Sequence, residues 1–267
     1  MTYEYLIVEE HGPVLWVTMN RPESLNALIP PMITELRNLY QSLQQRWDLR
    51  VVVLTGAGRG FSSGADIKQR SATGLGSDVG VAILRSQRAI SEVIIAMRRC
   101  PQPIVSLING PAAGGGMAFA LASDIRIATP TMKMNAAFIK IGLSACDVGV
   151  SYFLPRMVGA SVAAELMLTG RFIGPERALA LGLVSAVVPH EELHAEGEKF
   201  VAEMLEATPM GLRLTKECLN HAIDAQGLEA AIAMEDRNQV ITFMSKDAPE
   251  RRNAFVEKRS PIYGSEE

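Results

Sequence analysis

The chain has 267 residues, of which 48% are hydrophobic, 21% charged and 6% aromatic, with a formal net charge of −3. At roughly 150 residues per domain this is one large domain, or one with an appendage, long enough to bury about 70–75% of its unfolded surface without disulfide or metal staples. The slightly acidic balance excludes the basic footprint of a general nucleic-acid binder but leaves room for a phosphorylated small ligand, and 22 glycines with 14 prolines exclude a collagen-like or disordered composition.

Cys100, Cys146 and Cys218 are odd in number and lack metal-ligand spacing, which points to reduced thiols and no metal site. Residues 1–10 carry glutamates in place of the basic and apolar regions of a secretory signal. The longest apolar run, 178–188, falls short of the ~20 residues needed to cross a membrane. The expectation is a soluble cytoplasmic protein with neither membrane nor nucleic acid as partner.

Residues 6–9 and 14–19 read as two strands around the His11, Gly12, Pro13 turn. Pro30 and Pro31 suit a first helical turn, after which Met32, Leu36, Leu39 and Leu43 recur at helical spacing. The continuous β-branched run 51–54 predicts a buried, parallel strand. Residues 56–64 are glycine-rich and irregular, and 71–80 has the composition of a mobile loop. A helix over 81–99, a strand over 104–108, a short helix over 114–122 and a strand over 125–128 follow. This alternation means βα crossovers and a mainly parallel sheet covered by helices, an α/β fold.

From Gly149 the pattern is almost wholly helical, apart from a brief strand at 184–188. A long helix over 225–244 is expected to bury Leu228, Ile232 and Met234. The apolar positions Met204, Leu205, Leu212 and Phe255 of the helical tail have to be covered by the protein's own core or by a partner subunit, and both readings fit the pattern.

Three glycine-rich patterns bear on chemistry. Gly56, Gly58 and Gly60 follow a strand, but a dinucleotide fingerprint would need its third glycine at Phe61 and a helix directly after. Gly60, Ser62 and Gly64 match the nucleophile elbow of hydrolases, although Ser62 lies seven residues past Thr55 and not on a sharp strand-to-helix turn. The third pattern joins two segments. Residues 61–68 form a loop exposing the backbone N–H groups of Gly64 and Ala65, and Gly114, Gly115 and Gly116 open a helix after the strand at 104–108. Bare glycines at a helix N-terminus present unpaired N–H groups at the positive end of the helix dipole. Two such donors from separate loops can form an oxyanion hole, whereas glycines serving only close packing would have no reason to recur in this order.

The motifs Met19, Asn20, Arg21, Pro22 with Leu25, Asn26, Ala27, then residues 61–67, then residues 109–116 with Ser123 and Asp124, strongly resemble the crotonase (enoyl-CoA hydratase/isomerase) superfamily. Residues 169–171, Ala178 and 181–184 extend the resemblance over nearly the whole chain. It implies a crotonase-like spiral of ββα units over residues 1–195, which binds acyl-CoA, and a helical oligomerisation region over 196–267 that makes a homotrimer or dimer of trimers. It also implies a thioester enolate held by the N–H groups of Ala65 and Gly115, with Ser24, Leu25, Ala27, Asp66, Ile67 and Lys68 contacting coenzyme A. The coenzyme would arrive as part of the substrate, with no permanently bound cofactor.

At the two positions where hydratases of this family carry glutamates, the sequence has Ala118 and Phe138, neither able to move a proton. Asp147 stands where relatives that shift double bonds or dehalogenate carry a functional aspartate, and it also suits an N-cap for a helix over 148–158. Double-bond isomerisation through Asp147 is therefore expected over efficient hydration. The alternatives are an enoyl-CoA hydratase of fatty-acid or amino-acid breakdown, a non-catalytic acyl-CoA-binding subunit, and a Ser62 hydrolase. Glu92 is a lesser acid–base candidate, His190, His194 and His221 look incidental, and Lys258 and Arg259 read as surface charge within reach of a phosphate.

Overall fold

The computed structural model describes residues 2–66, 79–225 and 227–264. β1 (Leu6–His11) and β2 (Val14–Met19) form an antiparallel hairpin, with Leu6 opposite Met19. α1 (Pro30–Ser42) leads to β3 (Val51–Gly56), and α2 (Val79–Arg99) leads to β4 (Ile104–Ile108). β5 (Pro111–Ala113), α3 (Gly115–Ala122), β6 (Ile125–Ala128) and β7 (Lys133–Asn135) follow, and after the helices α4 (Val150–Val158), α5 (Ala160–Thr169) and α6 (Pro175–Ala180) comes β8 (Ala186–Val187). The main sheet has the order β1-β2-β3-β4-β6-β8 and is parallel at every pairing beyond the hairpin.

A second sheet runs alongside. β5 pairs with β7, and single bridges extend this ladder from Ser62 to Ala112 on one side and from Met134 to Ile173 on the other. Each repeat of the chain thus gives one strand to each sheet: β3 with Ser62, β4 with β5, β6 with β7. That is the ββα spiral of a crotonase-type α/β fold.

The uninterrupted apolar run at β3 has a direct cause, because both of its faces are covered. Val52 and Leu54 point into a core shared with α1, α2 and α3, while Val51 and Val53 point the other way, toward Val105, Leu107, Leu193 and Val201. Leu193 and Val201 belong to α7 (Leu193–Leu205), which lies on the sheet so closely that a Cβ at Gly197 would stand 2.8 Å from Leu107 Cδ2. A division between residues 195 and 196 therefore cuts through a helix of the sheet's own layer.

The tail continues with α8 (Pro209–Ala222), α9 (Leu228–Phe243) and α10 (Ala248–Glu257). The expected burial within α9 is not found. Leu228 and Ile232 are exposed, Met234 is partly exposed, and no residue of α9 is buried, because this helix packs chiefly on α8. Met204, Leu205 and Leu212 do pack against the core, whereas Phe255 remains 73% exposed. Among the described residues no helix is long and apolar enough to cross a membrane.

Candidate active site

Two buried asparagines brace the glycine-rich loop after β3. Asn26 Nδ2 donates to the carbonyls of Ala57 and Gly60 at 2.9 and 2.8 Å, and Asn109 Nδ2 donates to those of Gly56 and Gly58, both at 2.8 Å. The loop then bridges to Leu28, whose N–H donates to the Gly64 carbonyl at 2.8 Å and whose carbonyl accepts the Asp66 N–H at 3.0 Å. Successive amides of an extended chain face opposite ways, so the N–H of Ala65 is turned away from this bridge.

The second corner is the start of α3. Gly114, with φ +52 and ψ −117, donates its N–H to the Asn135 carbonyl at 3.0 Å and accepts the Ala118 N–H at 3.0 Å. The Gly115 N–H is the first of the helix and has no acceptor within it. The two corners touch, since a Cβ placed on Gly64 would lie 3.2 Å from the Gly115 nitrogen. Among the described residues neither Ala65 N–H nor Gly115 N–H donates a hydrogen bond, and both residues border one cavity of about 380 Å³. The glycines also serve close approach: a Cβ at Gly116 would stand 2.2 Å from the Ser62 carbonyl oxygen. Packing and donor exposure are one arrangement here.

Asp147 borders the same cavity. It does not cap α4, which begins at Val150 behind Gly149, a cap residue with φ +85 and no side-chain hydrogen bond. The Asp147 Oδ1 accepts the Val148 N–H at 2.8 Å and the Gln87 amide N–H, and its carbonyl accepts the Val150 N–H at 2.8 Å. The left-handed turn at Val148 (φ +37) and Gly149 carries the chain into the helix instead, leaving the carboxylate directed at the cavity.

Phe138 also lines the cavity, at the edge of the Gly114 corner, while Ala118 is fully buried inside α3 and does not border it. Ser24, Ala27 and Asp66 border the cavity, and Asp66 pairs with Arg21 at 3.3 Å. Leu25 does not. It ends a short turn in a left-handed conformation (φ 53), with its side chain packed toward Gly60. Ile67, Lys68 and most of the segment 71–80 lie outside the described residues, apart from Val79 and Gly80, which open α2.

Several sequence candidates stand elsewhere. Ser62 is fully buried, its Oγ donating to the Asn26 carbonyl at 2.8 Å, so it is no exposed nucleophile. Glu92 borders a separate hollow beside Tyr40 and Arg99. His194 stacks on Trp16 at 5.1 Å, and Arg259 is held by Glu250 and Glu257 at 2.6 Å each. Another concavity, about 890 Å³, lies between the end of α2, α4 and α8. Lys216 and Arg98 there are paired with Asp124 at 2.8 and 3.0 Å, and neither Ala65 nor Gly115 lines it.

Sequence reading missed Gln87. The signal available was a polar residue continuing the stripe of Ile90, Ile94 and Met97, three buried positions on α2.

Known proteins resemble this chain over nearly its whole length. The family described as enoyl-CoA hydratase/isomerase matches residues 9–266. A Mycobacterium tuberculosis protein named probable enoyl-CoA hydratase EchA12 is 38% identical over 266 residues, covering 98% of this chain and 93% of its own length. The 1,2-epoxyphenylacetyl-CoA isomerase of Escherichia coli is 32% identical over 262 residues, covering 97% of this chain and 98% of its own. The solved structure of an enoyl-CoA hydratase from Bacillus anthracis superposes with a TM-score of 0.90 at 30% identity, over 97% of this chain and 99% of that one. These matches run nearly end to end, and the chain belongs to the enoyl-CoA hydratase/isomerase family of crotonase-fold enzymes.

Proposed function

We propose that this enzyme shifts the double bond of an enoyl-CoA thioester, with the Asp147 carboxylate moving the proton and the Ala65 and Gly115 N–H groups holding the enolate oxygen. The observation that carries this reading is the meeting, at a single cavity, of the Asp147 carboxylate with two amides that donate no hydrogen bond among the described residues; the cavity's other carboxylate, Asp66, is paired with Arg21, and positions 118 and 138 carry none. In a 3-enoyl thioester, Asp147 takes a proton from the carbon next to the carbonyl. The electron pair moves onto the thioester oxygen as a dienolate. It then returns through the chain as the same proton is delivered to the far carbon, leaving a 2-enoyl thioester.

The charge on oxygen develops during the reaction, so donors already in place cost no reorganisation, and the loss of one such donor in a comparable hole costs about 2.7–4 kcal/mol. The positive end of α3 favours the same charge. Hydration needs one group to activate water and another to protonate carbon; with Asp66 held by Arg21, Asp147 serves a proton shuttle better than that pair of tasks. Similarity to the protein named 1,2-epoxyphenylacetyl-CoA isomerase supports isomerase-type chemistry on this scaffold.

Coenzyme A enters as part of the substrate along Ser24, Ala27 and Asp66, with Ile67 and Lys68 next in the chain. Exposed Phe243, Met244, Phe255, Val256 and Ile262 on the tail favour a homotrimer or dimer of trimers, and the cytoplasm is the expected compartment. Light scattering reads the oligomer directly.

The test uses a panel of 2-enoyl- and 3-enoyl-CoA thioesters. Wild type interconverts them, and Asp147→Asn loses about 100-fold or more in turnover while still binding acyl-CoA. Hydration of crotonyl-CoA at about 10 per second or more overturns the isomerase reading in favour of a hydratase. Binding without any turnover across the panel leaves an acyl-CoA-binding subunit.

A further inference from the structure

The carboxylate of Asp147 is held asymmetrically. Both of its side-chain hydrogen bonds, from the Gln87 amide and from the Val148 N–H at 2.8 Å, end on Oδ1. Among the described residues nothing donates to Oδ2. The two donors differ in kind. Val148 is the next residue in the chain, so its N–H restrains the carboxylate only locally. Gln87 reaches across 60 residues of sequence from α2, a helix fixed against the core by Ile90 and Ile94.

The geometry points to Gln87 as the positioning residue of the proton-transferring carboxylate, pinning Oδ1 so that Oδ2 is the atom that takes the proton; this rests on the proposed role of Asp147. A carboxylate torsion is broad and roughly two-fold, so without a second donor the two oxygens exchange places freely. Hydrogen bonds to a charged oxygen stabilise it and make it the weaker acceptor for a further proton, which leaves the unbonded oxygen as the basic one. An amide suits this task because it donates without titrating and adds no charge beside the carboxylate. The backbone of Asp147 is fixed as well: its carbonyl accepts the Val150 N–H at 2.8 Å, and Val148 holds the left-handed φ of +37, uncommon for a β-branched residue and typical of functional sites. Carboxylate and amide both border the cavity that the Ala65 and Gly115 N–H groups close.

Two variants and one reference test this. Gln87→Met keeps the length and removes the donor; Gln87→Glu keeps the shape and puts a second ionisable carboxyl in place of the neutral amide. Gln87, Asp147→Asn and wild-type proteins are compared by turnover and KM on one enoyl-CoA, and by deuterium uptake at the carbon next to the carbonyl of a saturated acyl-CoA in heavy water. Gln87→Met is expected to lose about 10-fold in turnover with KM unchanged, the size of one charge-assisted hydrogen bond. Gln87→Glu is expected to lose about 100-fold, because the two adjacent carboxyls share one proton and the pair becomes a weak base toward a second. A packing role gives the reverse order, with the isosteric Glu milder than Met, and overturns the inference. So does wild-type turnover and exchange in both variants while Asp147→Asn abolishes them, in which case the role of Asp147 stands. Wild-type exchange in Asp147→Asn removes that role, and the Gln87 inference with it.

Discussion

Ser62 Oγ donates to the Asn26 carbonyl oxygen at 2.8 Å, and both residues are fully shielded from solvent. The same hydroxyl accepts the Gly64 N–H at 3.3 Å, so the serine braces the corner on which Ala65 sits. Ser62→Ala removes a buried donor and leaves the carbonyl unpaired, at a cost of about 1–3 kcal/mol in urea unfolding. A fluorophosphonate probe is expected to leave the wild-type protein unlabelled. Labelling that disappears in Ser62→Ala would restore the hydrolase reading.

Gly64→Ala tests the amide pair. The residue adopts φ +83, and a Cβ would meet the Ala113 carbonyl oxygen at 2.6 Å, so the corner has to move. The strained backbone costs about 1–3 kcal/mol. Displacing one oxyanion donor is expected to reduce turnover about 100-fold. A less stable variant with unaltered turnover would separate Ala65 from the chemistry.

Arg126 is a buried cation that bonds to carbonyls. Burial pushes its guanidinium down to about 10. Nε donates to the Leu183 carbonyl at 2.7 Å, and Nη1 to the carbonyls of Ser123 and Ala120 at 2.6 and 3.4 Å, at the negative end of α3. Arg126→Met strands these acceptors and is expected to lower unfolding stability by at least about 2 kcal/mol. Arg126→Lys, with its charge kept but no planar fork, is expected to fall between Met and wild type. Equal stability of the Met variant and wild type would refute the bracing role.

Glu165 joins α5 to α6. Its hydrogen bonds to Arg177, with Arg171 nearby, hold its carboxyl at about 2, below the ordinary value of 4.5. Because the folded value lies below the unfolded one, the stabilisation is complete above about 4.5 and is lost as pH falls toward about 2. Urea midpoints of wild type and Glu165→Gln should differ at neutral pH and converge through that window. The pair is on the surface, so the difference is small and shrinks further in salt. A gap that stays constant down to the acid end of the window would contradict the assignment.

Much of the spiral is legible in local patterns. The apolar run at β3 announces a strand covered on both faces, and the glycines of residues 114–116 announce a helix start with bare amides. Both are short-range matters of side-chain volume and backbone freedom, which neighbouring residues report on their own. The family resemblance points to Ala65, Gly115 and Asp147, and these three border one cavity. Asp147 shows the limit. An aspartate just ahead of a helix is written the same way whether it caps the helix or faces a cavity, and the left-handed turn at Val148 and Gly149 decided between them. In α9, Leu228 and Ile232 carry an apolar pattern, but the sequence does not say which surface, if any, reaches them.

What the sequence by itself determined is the order of strands and helices, the glycine corners and the absence of a carboxylate at positions 118 and 138. Only the tertiary structure brought Gly64 against Gly115, set Gln87 on the carboxylate of Asp147 and sealed Ser62 inside. The reason is that propensity and periodicity act over a few residues, whereas contact between segments fifty or more residues apart is fixed by how whole layers pack.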